Sequence, residues 1–205
     1  MTLAFFGFLR LGELTCNSKF SPEAHLSPAD VTFLPSWENP DHLSVHIKIS
    51  KTNPFRSGQT ILIGKTHQPV CPVQAMKAYL STRDRTPGPL FMYLSGKPLT
   101  KDGLTSEISQ LLSQSGFTSS QYAGHSFRIG AATTAASVGI PPWLIKTLGR
   151  WSSDCFERYI RCPQPFMLPF KLLYPIDPCT RLRIISCFLL AVFLLQAAIL
   201  IIKQK

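Results

Sequence analysis

One short segment of this chain alternates strictly between apolar and polar residues, while most other apolar residues recur at helical spacing. From 43 to 50 the apolar side chains fall on every second position, which is the period of a strand buried on one face. Asn53-Pro54 supplies a turn, 60–63 can return as a partner strand, and 31–34 has the composition of a further short strand. The sequence therefore predicts a mainly α fold with one small antiparallel β-sheet, which is the α+β class.

Helices account for the rest of the predicted domain. Their boundaries are marked by proline at a first helical position, by a threonine that can cap and by glycines that end a helix. The predicted helices are 3–15, 72–80, one between Thr100 and Gly116, 125–138, one that begins at Pro141-Pro142, and a short one that carries Tyr159 and stops before Pro163.

Composition divides the chain into three parts. Residues 1–162 have the length and apolar content of one domain, and 163–183 form a proline-rich linker. Residues 184–202 carry no charge, and at ~1.5 Å per residue they cover ~28 Å of a hydrocarbon core that is ~30 Å thick. Basic residues flank this segment on both sides, so we predict a transmembrane helix; the alternative is a buried terminal helix.

The chain is strongly basic, with a formal net charge of +10 and an isoelectric point near 9.6. Such a charge favours a polyanionic partner, because lysines and arginines that neutralise phosphates release counterions. No acidic residue lies between Asp41 and Asp84, which indicates either a DNA-facing sheet edge or an ordinary solvated surface. The basic residues of this stretch are Lys48, Lys51, Arg56, Lys65, Lys77 and Arg83.

The six cysteines are scattered and include no CxxC pair. This spacing does not support a zinc site, and we expect neither a metal nor a cofactor. The first apolar residues run directly into Arg10 and Glu13, so no signal peptide is visible. We therefore expect a protein that is not secreted and that keeps its thiols reduced.

Four short motifs contain the side chains that could take part in catalysis. His125 and Arg128 lie three apart and so share one face of a helix. Together the motifs offer guanidinium groups for a phosphate, an imidazole for proton transfer and a phenol as nucleophile, a set that suits covalent attack on a phosphodiester. The motifs are Leu9-Arg10-Leu11-Gly12-Glu13-Leu14, Gly124-His125-Ser126-Phe127-Arg128, Leu148-Gly149-Arg150-Trp151 and Tyr159-Ile160-Arg161.

In this order, and over about 3–161, the motifs resemble the tyrosine recombinase (phage integrase) family. The residues in and around these motifs, as in Gly149-Arg150-Trp151, resemble those of recombinases from eukaryotic Crypton and DIRS-type mobile elements. The resemblance implies a tyrosine recombinase catalytic domain that cleaves and rejoins double-stranded DNA through a 3'-phosphotyrosine intermediate. It also implies activity without metal or nucleotide, a homo-oligomer on DNA and a location in the nucleus.

The resemblance assigns roles to single residues. Tyr159 is the nucleophile, and Arg10 and Arg128 hold the scissile phosphate. His125 shuttles protons or donates to the phosphate. Three of them have a plainer alternative: Tyr159 as a core or interface tyrosine, Arg10 as a surface arginine paired with Glu13, and His125 as a satisfied core histidine.

Lys51 corresponds to the family's hairpin lysine, which protonates the leaving oxygen. It lies where the second predicted strand ends and the turn begins. Lys48 and Arg56 are competing candidates, and a solvated hairpin charge is the plain alternative.

Trp151 corresponds to a tryptophan whose indole N–H contacts the phosphate in some family members. However, Trp151 precedes Tyr159 by eight residues, one fewer than the family interval, whereas Arg150 precedes it by nine. Trp151 is alternatively a buried aromatic anchor.

Two departures from the family pattern lead to an alternative function. Only nine residues precede Arg10, so we expect a catalytic domain that is incomplete at its start and lacks a DNA-clamping domain. After Tyr159, prolines and the hydrophobic segment replace the part that commonly docks on a neighbouring subunit. The alternative is an inactive or domesticated mobile-element relic, which acts as a DNA-binding module or, if 184–202 inserts, as a membrane-anchored interaction module.

Overall fold

A computed structural model of the chain describes residues 1–17, 19–50, 57–66, 68–83, 86–122 and 124–160. The predicted hairpin lysine Lys51, the predicted linker 163–183 and the predicted transmembrane helix 184–202 lie outside these residues and remain predictions. Among the described helices, none has both the length and the apolar character needed to cross a membrane.

The alternating segment forms the central strand of a three-stranded antiparallel sheet, whose strands lie side by side in chain order. Leu43, Val45 and Ile47 are buried, whereas the polar residues between them are not, so the predicted alternation is confirmed over 43–47. Its predicted continuation to residue 50 is wrong, because the strand ends at Ile47 and the polar Ser50 is buried through its contact with Glu13. The strands are β1 (Val31–Leu34), β2 (His42–Ile47) and β3 (Gln59–Gly64).

Helices form the remainder of the described fold. Thr100 caps the helix Lys101–Gln114 as predicted, since its hydroxyl accepts a hydrogen bond from the Gly103 N–H at 3.1 Å. The predicted short helix that carries Tyr159 is present as a 3₁₀ helix, Asp154–Tyr159. The α-helices are α1 (Thr2–Phe6), α2 (Leu11–Leu14), α3 (Pro72–Thr82), α4 (Lys101–Gln114), α5 (Ser126–Ser137) and α6 (Pro142–Leu148).

The prediction of a single helix over 3–15 is wrong, because the chain breaks between α1 and α2. At the break, Phe8 has a positive φ of 50°. Arg10 is extended, and its N–H donates to the Glu13 carboxylate at 2.9 Å, which satisfies a donor at the start of α2. Periodicity did not reveal the break, because the residues on both sides of it are buried as they would be in one amphipathic helix.

Two apolar clusters hold the elements together. The larger packs α1 and α3 against the sheet and includes Leu43. The smaller lies among α5, α6 and the 3₁₀ helix and includes Ala132 and Ile145. The chain between α1 and α2 joins them, with Leu9 in the larger cluster and Phe8 in the smaller. This connection brings the first arginine motif beside α5.

Candidate active site

Arg128 is the buried centre of the candidate site. It lies in the first turn of α5 and is 0% exposed. Its Nη1 donates to the Phe8 carbonyl at 2.7 Å, and its Nη2 donates to the Gly149 carbonyl. An arginine is rarely buried this completely unless its charge is compensated. These two bonds therefore fix the guanidinium between the break after α1 and the end of α6.

The indole of Trp151 contacts both Arg128 and Tyr159. The Arg128 Cζ atom lies 4.1 Å from the centroid of the indole ring, a cation–π contact. The Tyr159 ring centroid lies 5.3 Å from that of Trp151. The ring centroids of Phe8 and Phe156 lie 6.3 and 6.0 Å from that of the same indole. The indole of Trp151 is therefore in contact with both Tyr159, the predicted nucleophile, and Arg128, a predicted phosphate ligand.

Tyr159 is the last residue of the 3₁₀ helix and is half-buried. The Thr133 hydroxyl of α5 donates to the Tyr159 carbonyl at 3.2 Å. Phe156 is buried within the smaller cluster, and Lys146 of α6 forms an ion pair with Asp154 at 2.7 Å. Contacts from α5 and α6 thus position the segment that carries the tyrosine.

Glu13 is a buried carboxylate that connects Arg10, Ser50 and Arg150. Its Oε1 accepts from Arg10 Nη1 at 3.1 Å and from the Ser50 hydroxyl at 2.9 Å. Its Oε2 accepts from Arg150 Nη2 at 2.8 Å. The plain alternative for Arg10, a pair with Glu13, is present, but the two side chains are only 18% and 4% exposed and do not form a surface pair.

The site carries three guanidinium groups and one carboxylate. Burial, followed by the charges of Arg10 and Arg150, lowers the pKa of Arg128 to about 10, against the opposing effects of Glu13 and Tyr159. Arg128 is therefore still charged at neutral pH. The lowered pKa also reflects repulsion between the guanidinium charge of Arg128 and those of Arg10 and Arg150.

The carboxyl group of Glu13 is held in its charged form. Burial alone would raise its pKa, but the charge of Arg150 and hydrogen bonds from Arg150, Arg10 and Ser50 outweigh burial and lower the pKa below 4.5. A carboxylate with a lowered folded-state pKa stabilises the fold above its unfolded-state pKa. That contribution disappears as the pH falls through the folded-state value.

Glu13→Gln is therefore expected to lower the free energy of unfolding by about 3 kcal/mol at pH 7, because it leaves buried arginines without a counter-charge. The difference from wild type should shrink as the pH falls from 4.5 toward the lower folded-state pKa of Glu13, because wild type also loses the charge as that value is passed. Urea denaturation from pH 7 to pH 3 measures both effects. Glu23→Gln, at an exposed glutamate, is the control with a small effect. A difference that stays constant across this range would contradict the charge argument.

Gly149 lies so close to the Trp151 ring that a β-carbon at this position would overlap the indole. Gly149→Ala is expected to destabilise the fold by about 2 kcal/mol or more, because the indole and Arg128 stacked on it would have to move. Gly12 has nothing within 4 Å of an added β-carbon, so Gly12→Ala is the matched control. Thermal unfolding compares them, and equal stability of the two variants would show that the indole is not tightly confined.

His125 and Arg128 differ in exposure although they lie three residues apart. His125 is the N-cap residue of α5 and is exposed, whereas Arg128 is buried. The imidazole of His125 is therefore accessible to solvent, whereas the guanidinium of Arg128 is inside the protein. Among the described residues, no group of three or more His, Cys, Asp or Glu side chains could hold a metal ion.

Lys48 is bound to its own chain. Its Nζ lies 2.6 Å from the Asp30 carboxylate and donates to the Pro22 carbonyl at 2.7 Å. These bonds weigh against Lys48 as a proton donor to DNA. The other two hairpin candidates, Lys51 and Arg56, lie outside the described residues.

Sequence reasoning gave no role to Ser50 and treated Glu13 only as a partner of Arg10. A signal for Glu13 was present, since a carboxylate three residues after a helix start commonly bonds back to the N–H there. Ser50 offered none, because its contact with Glu13 joins two distant segments.

The fold is similar to that of recombinases of known structure. XerH site-specific recombinase, bound to its difH substrate in a pre-cleavage complex, has a TM-score of 0.53 and 16% identity over 81% of this chain and 43% of XerH. The Tn1549 transposon integrase, in complex with circular intermediate DNA, has a TM-score of 0.53 and 16% identity over 79% of this chain and 54% of the integrase. The predicted fold class is therefore confirmed as that of tyrosine recombinase catalytic domains.

This chain spans about half the length of the recombinase chains that it matches. Neither a protein-family model nor a curated protein sequence matches it.

Proposed function

We propose that this chain cleaves and rejoins DNA strands through a 3'-phosphotyrosine intermediate, as a recombinase of the tyrosine class. The main supporting observation is that Tyr159 and Arg128 both contact one indole, that of Trp151. This contact brings together a nucleophile and a phosphate ligand, the two groups that the reaction needs first. The similar solved structures of XerH and the Tn1549 integrase contain DNA, which supports DNA as the substrate class.

In the cleavage step, the Tyr159 oxygen forms a bond to phosphorus while the bond from phosphorus to the 5' oxygen breaks. The phenol gives up its proton, and the 5' oxygen gains one and leaves as a hydroxyl. The exposed His125 is suited to proton transfer, and Lys51 is the proposed donor to the leaving oxygen. The tyrosyl ester keeps the energy of the phosphodiester, so the hydroxyl of another strand reverses the step without a nucleotide.

Arg10 and Arg128 are the proposed ligands of the scissile phosphate. Negative charge increases on the non-bridging oxygens in the transition state, and preorganised guanidinium groups stabilise that charge. Arg10 uses Nη1 for Glu13 and Ser50, which leaves its Nη2 side for a substrate. Arg128 is oriented by the two carbonyls and the indole that it contacts.

We further propose that the chain acts as a homo-oligomer on DNA in the nucleus. Strand exchange joins ends from two duplexes, whereas each chain supplies one Tyr159, so a second copy is needed. The net charge of +10 is suited to DNA phosphates and should make binding depend steeply on salt.

Trapping on nicked DNA tests the proposed function. The full chain is incubated, with a metal chelator present, with duplexes of randomised sequence that each carry a nick, so that the short cleaved fragment diffuses away and cannot be rejoined. We expect adducts that resist detergent and carry DNA on Tyr159 through its 3' phosphate. DNA binding without any adduct would instead favour the inactive relic.

The membrane-anchored alternative needs a separate measurement. Expression of the full chain beside a form that ends at Thr180, followed by carbonate extraction, tests the predicted helix 184–202. Equal solubility without detergent, and no membrane association of either form, would show that the segment does not insert.

A further inference from the structure

Tyr159 lies at the end of a short helix whose position depends on tertiary contacts. The 3₁₀ helix has six residues, and helices this short are not stable on their own. Phe156, near its middle, is 3% exposed and packs within the smaller cluster. Burial therefore anchors the middle of the helix and leaves its two ends to polar contacts. Its exposed side chains are those of Asp154, Cys155, Glu157 and Arg158.

The two ends of the 3₁₀ helix are held by different contacts. At its start, Asp154 forms the ion pair with Lys146, but these side chains are 77% and 33% exposed, and pairs this exposed contribute little. At its end, the Thr133 hydroxyl donates to the Tyr159 carbonyl at 3.2 Å, and both residues are half-buried. Carbonyls at a helix end lack partners within the helix, so this bond also satisfies a backbone group. The bond from Thr133 thus fixes the end of the helix that carries the predicted nucleophile.

This contact of Thr133 differs from those of other helical threonines in the chain. Thr82, Thr105 and Thr147 donate to carbonyls three or four residues back in their own helices, which is a common bond of threonine within a helix. The bond from Thr133 to Tyr159 joins two elements across 26 residues. The branched β-carbon of threonine allows few rotamers in a helix, so the direction of the hydroxyl follows the backbone of α5.

Helix α5 is itself fixed beside the predicted phosphate ligand. Arg128 in its first turn is 0% exposed and donates to the Phe8 and Gly149 carbonyls. Arg128 and Thr133 are five residues apart, which is about 7.5 Å along the helix axis at ~1.5 Å per residue. One helix therefore carries both a predicted ligand of the scissile phosphate and the contact that holds the backbone of Tyr159.

We infer that Thr133 is a positioning residue for Tyr159, because its hydroxyl holds the end of the 3₁₀ helix on α5 and so sets the distance from the phenol to the phosphate that Arg128 binds. This inference rests on the proposed function for its reaction. Reacting atoms must approach within about 3–3.5 Å, and a displacement of about 1 Å can cost about a hundredfold in rate. The plainer alternative is that the bond only stabilises the fold.

Hydrogen exchange of the full chain, measured by mass spectrometry, tests the contact without DNA. Thr133→Val keeps the shape of the side chain but removes the donor. Amides of 154–160 should then exchange about fivefold faster, because local opening of this segment becomes easier, while those of Lys101–Gln114 should not change. Unchanged exchange over 154–160, or equally faster exchange of both segments, would overturn the inference.

Two further variants separate the hydroxyl from other effects of valine. Thr133→Ser keeps the donor and should exchange like wild type. Thr134→Val makes the same change at the adjacent, also half-buried position of α5, whose carbonyl accepts from Ser137 within the helix. It should leave exchange over 154–160 unchanged. Equal acceleration in Thr134→Val and Thr133→Val would show that valine in α5, and not the lost donor, loosens the segment.

Adduct formation on nicked DNA measures the consequence for the reaction. Thr133→Val should lower the single-turnover rate at saturating DNA by about tenfold and change the Kd by less than about twofold, because the bond acts on the nucleophile and not on DNA. Thr133→Ser should recover most of the rate. Equal losses of rate and affinity, or no recovery with serine, would assign Thr133 a purely structural role.

Thr133→Ala guards against loss of folding as an explanation. Alanine has the highest helix propensity, so this variant should fold even if valine disturbs the packing of α5. We expect it to show the same faster exchange over 154–160 and the same slower cleavage. Wild-type exchange and rate in a folded Thr133→Ala protein would remove Thr133 from the mechanism.

Failure of this inference is distinguishable from failure of the proposed function. If wild type forms no adduct but loss of the Thr133 hydroxyl loosens 154–160, the contact holds the segment and the recombinase proposal fails. If wild type forms adducts and Thr133→Val forms them equally fast, the recombinase proposal stands and Thr133 does not position Tyr159.

Discussion

Replacing Tyr159 with phenylalanine is expected to abolish covalent attachment to DNA while DNA binding stays nearly unchanged. The phenolic oxygen forms the bond to phosphorus, and phenylalanine has no atom that can replace it. The ring should keep its contact with Trp151 at 5.3 Å, and Thr133 should still donate to the backbone carbonyl of residue 159. Detergent-resistant adducts on nicked duplexes, measured beside equilibrium binding by fluorescence anisotropy, give both quantities.

Tyr122→Phe makes the same chemical change at a tyrosine outside the site. Tyr122 is partly exposed and contacts Phe117 edge-on at 6.3 Å. This control should form adducts at the wild-type rate. Adducts that survive in Tyr159→Phe would remove Tyr159 from the mechanism.

The second large effect is expected for Arg128→Lys, which should slow cleavage by on the order of a hundredfold or more and weaken DNA binding much less. A single ammonium group cannot reproduce the planar fork that now donates to the Phe8 and Gly149 carbonyls and stacks on Trp151. The single-turnover rate at saturating DNA and the Kd separate the two effects. Equal losses in rate and affinity would show that Arg128 only anchors DNA.

Because Arg128 is buried, replacing it with lysine also changes the stability of the fold. Thermal unfolding of Arg128→Lys must therefore accompany the kinetics, and rates are compared below its melting temperature. Arg10→Lys is the companion variant, because Arg10 is less buried and its ion pair with Glu13 can be kept by lysine. If both arginines hold the same phosphate, the two rates should fall alike.

Much of this fold could be predicted from local patterns. The alternation over 43–50 predicted the central strand, and the threonine before α4 predicted its cap, because each depends on residues close together in sequence. The order of the four motifs also predicted a phosphodiester site, which stays a prediction; in the structure Tyr159 and Arg128 both contact Trp151. The predicted roles of Arg10, Arg128 and Tyr159 are tested by their substitutions, and the role of His125 stays a prediction.

Two features of the structure could not be predicted from local sequence patterns. The break at Phe8 was missed because burial on both sides preserves helical periodicity, while the positive φ depends on what its carbonyl meets. The choice between Arg150 and Trp151 stays open, because both side chains are buried and both have donor atoms without a partner among the described residues.

The sequence by itself determined the α+β class, the sheet, most helix starts and the set of chemical groups, because periodicity, capping and residue identity are local properties. Only the tertiary structure decided how those groups are arranged. Arg128 meets the Phe8 carbonyl across 120 residues, and Arg150 meets Glu13 across 137. Contacts over such separations depend on the packing of α1 and α2 against α5 and α6. No local pattern encodes them, and they hold the buried carboxylate among the three arginines.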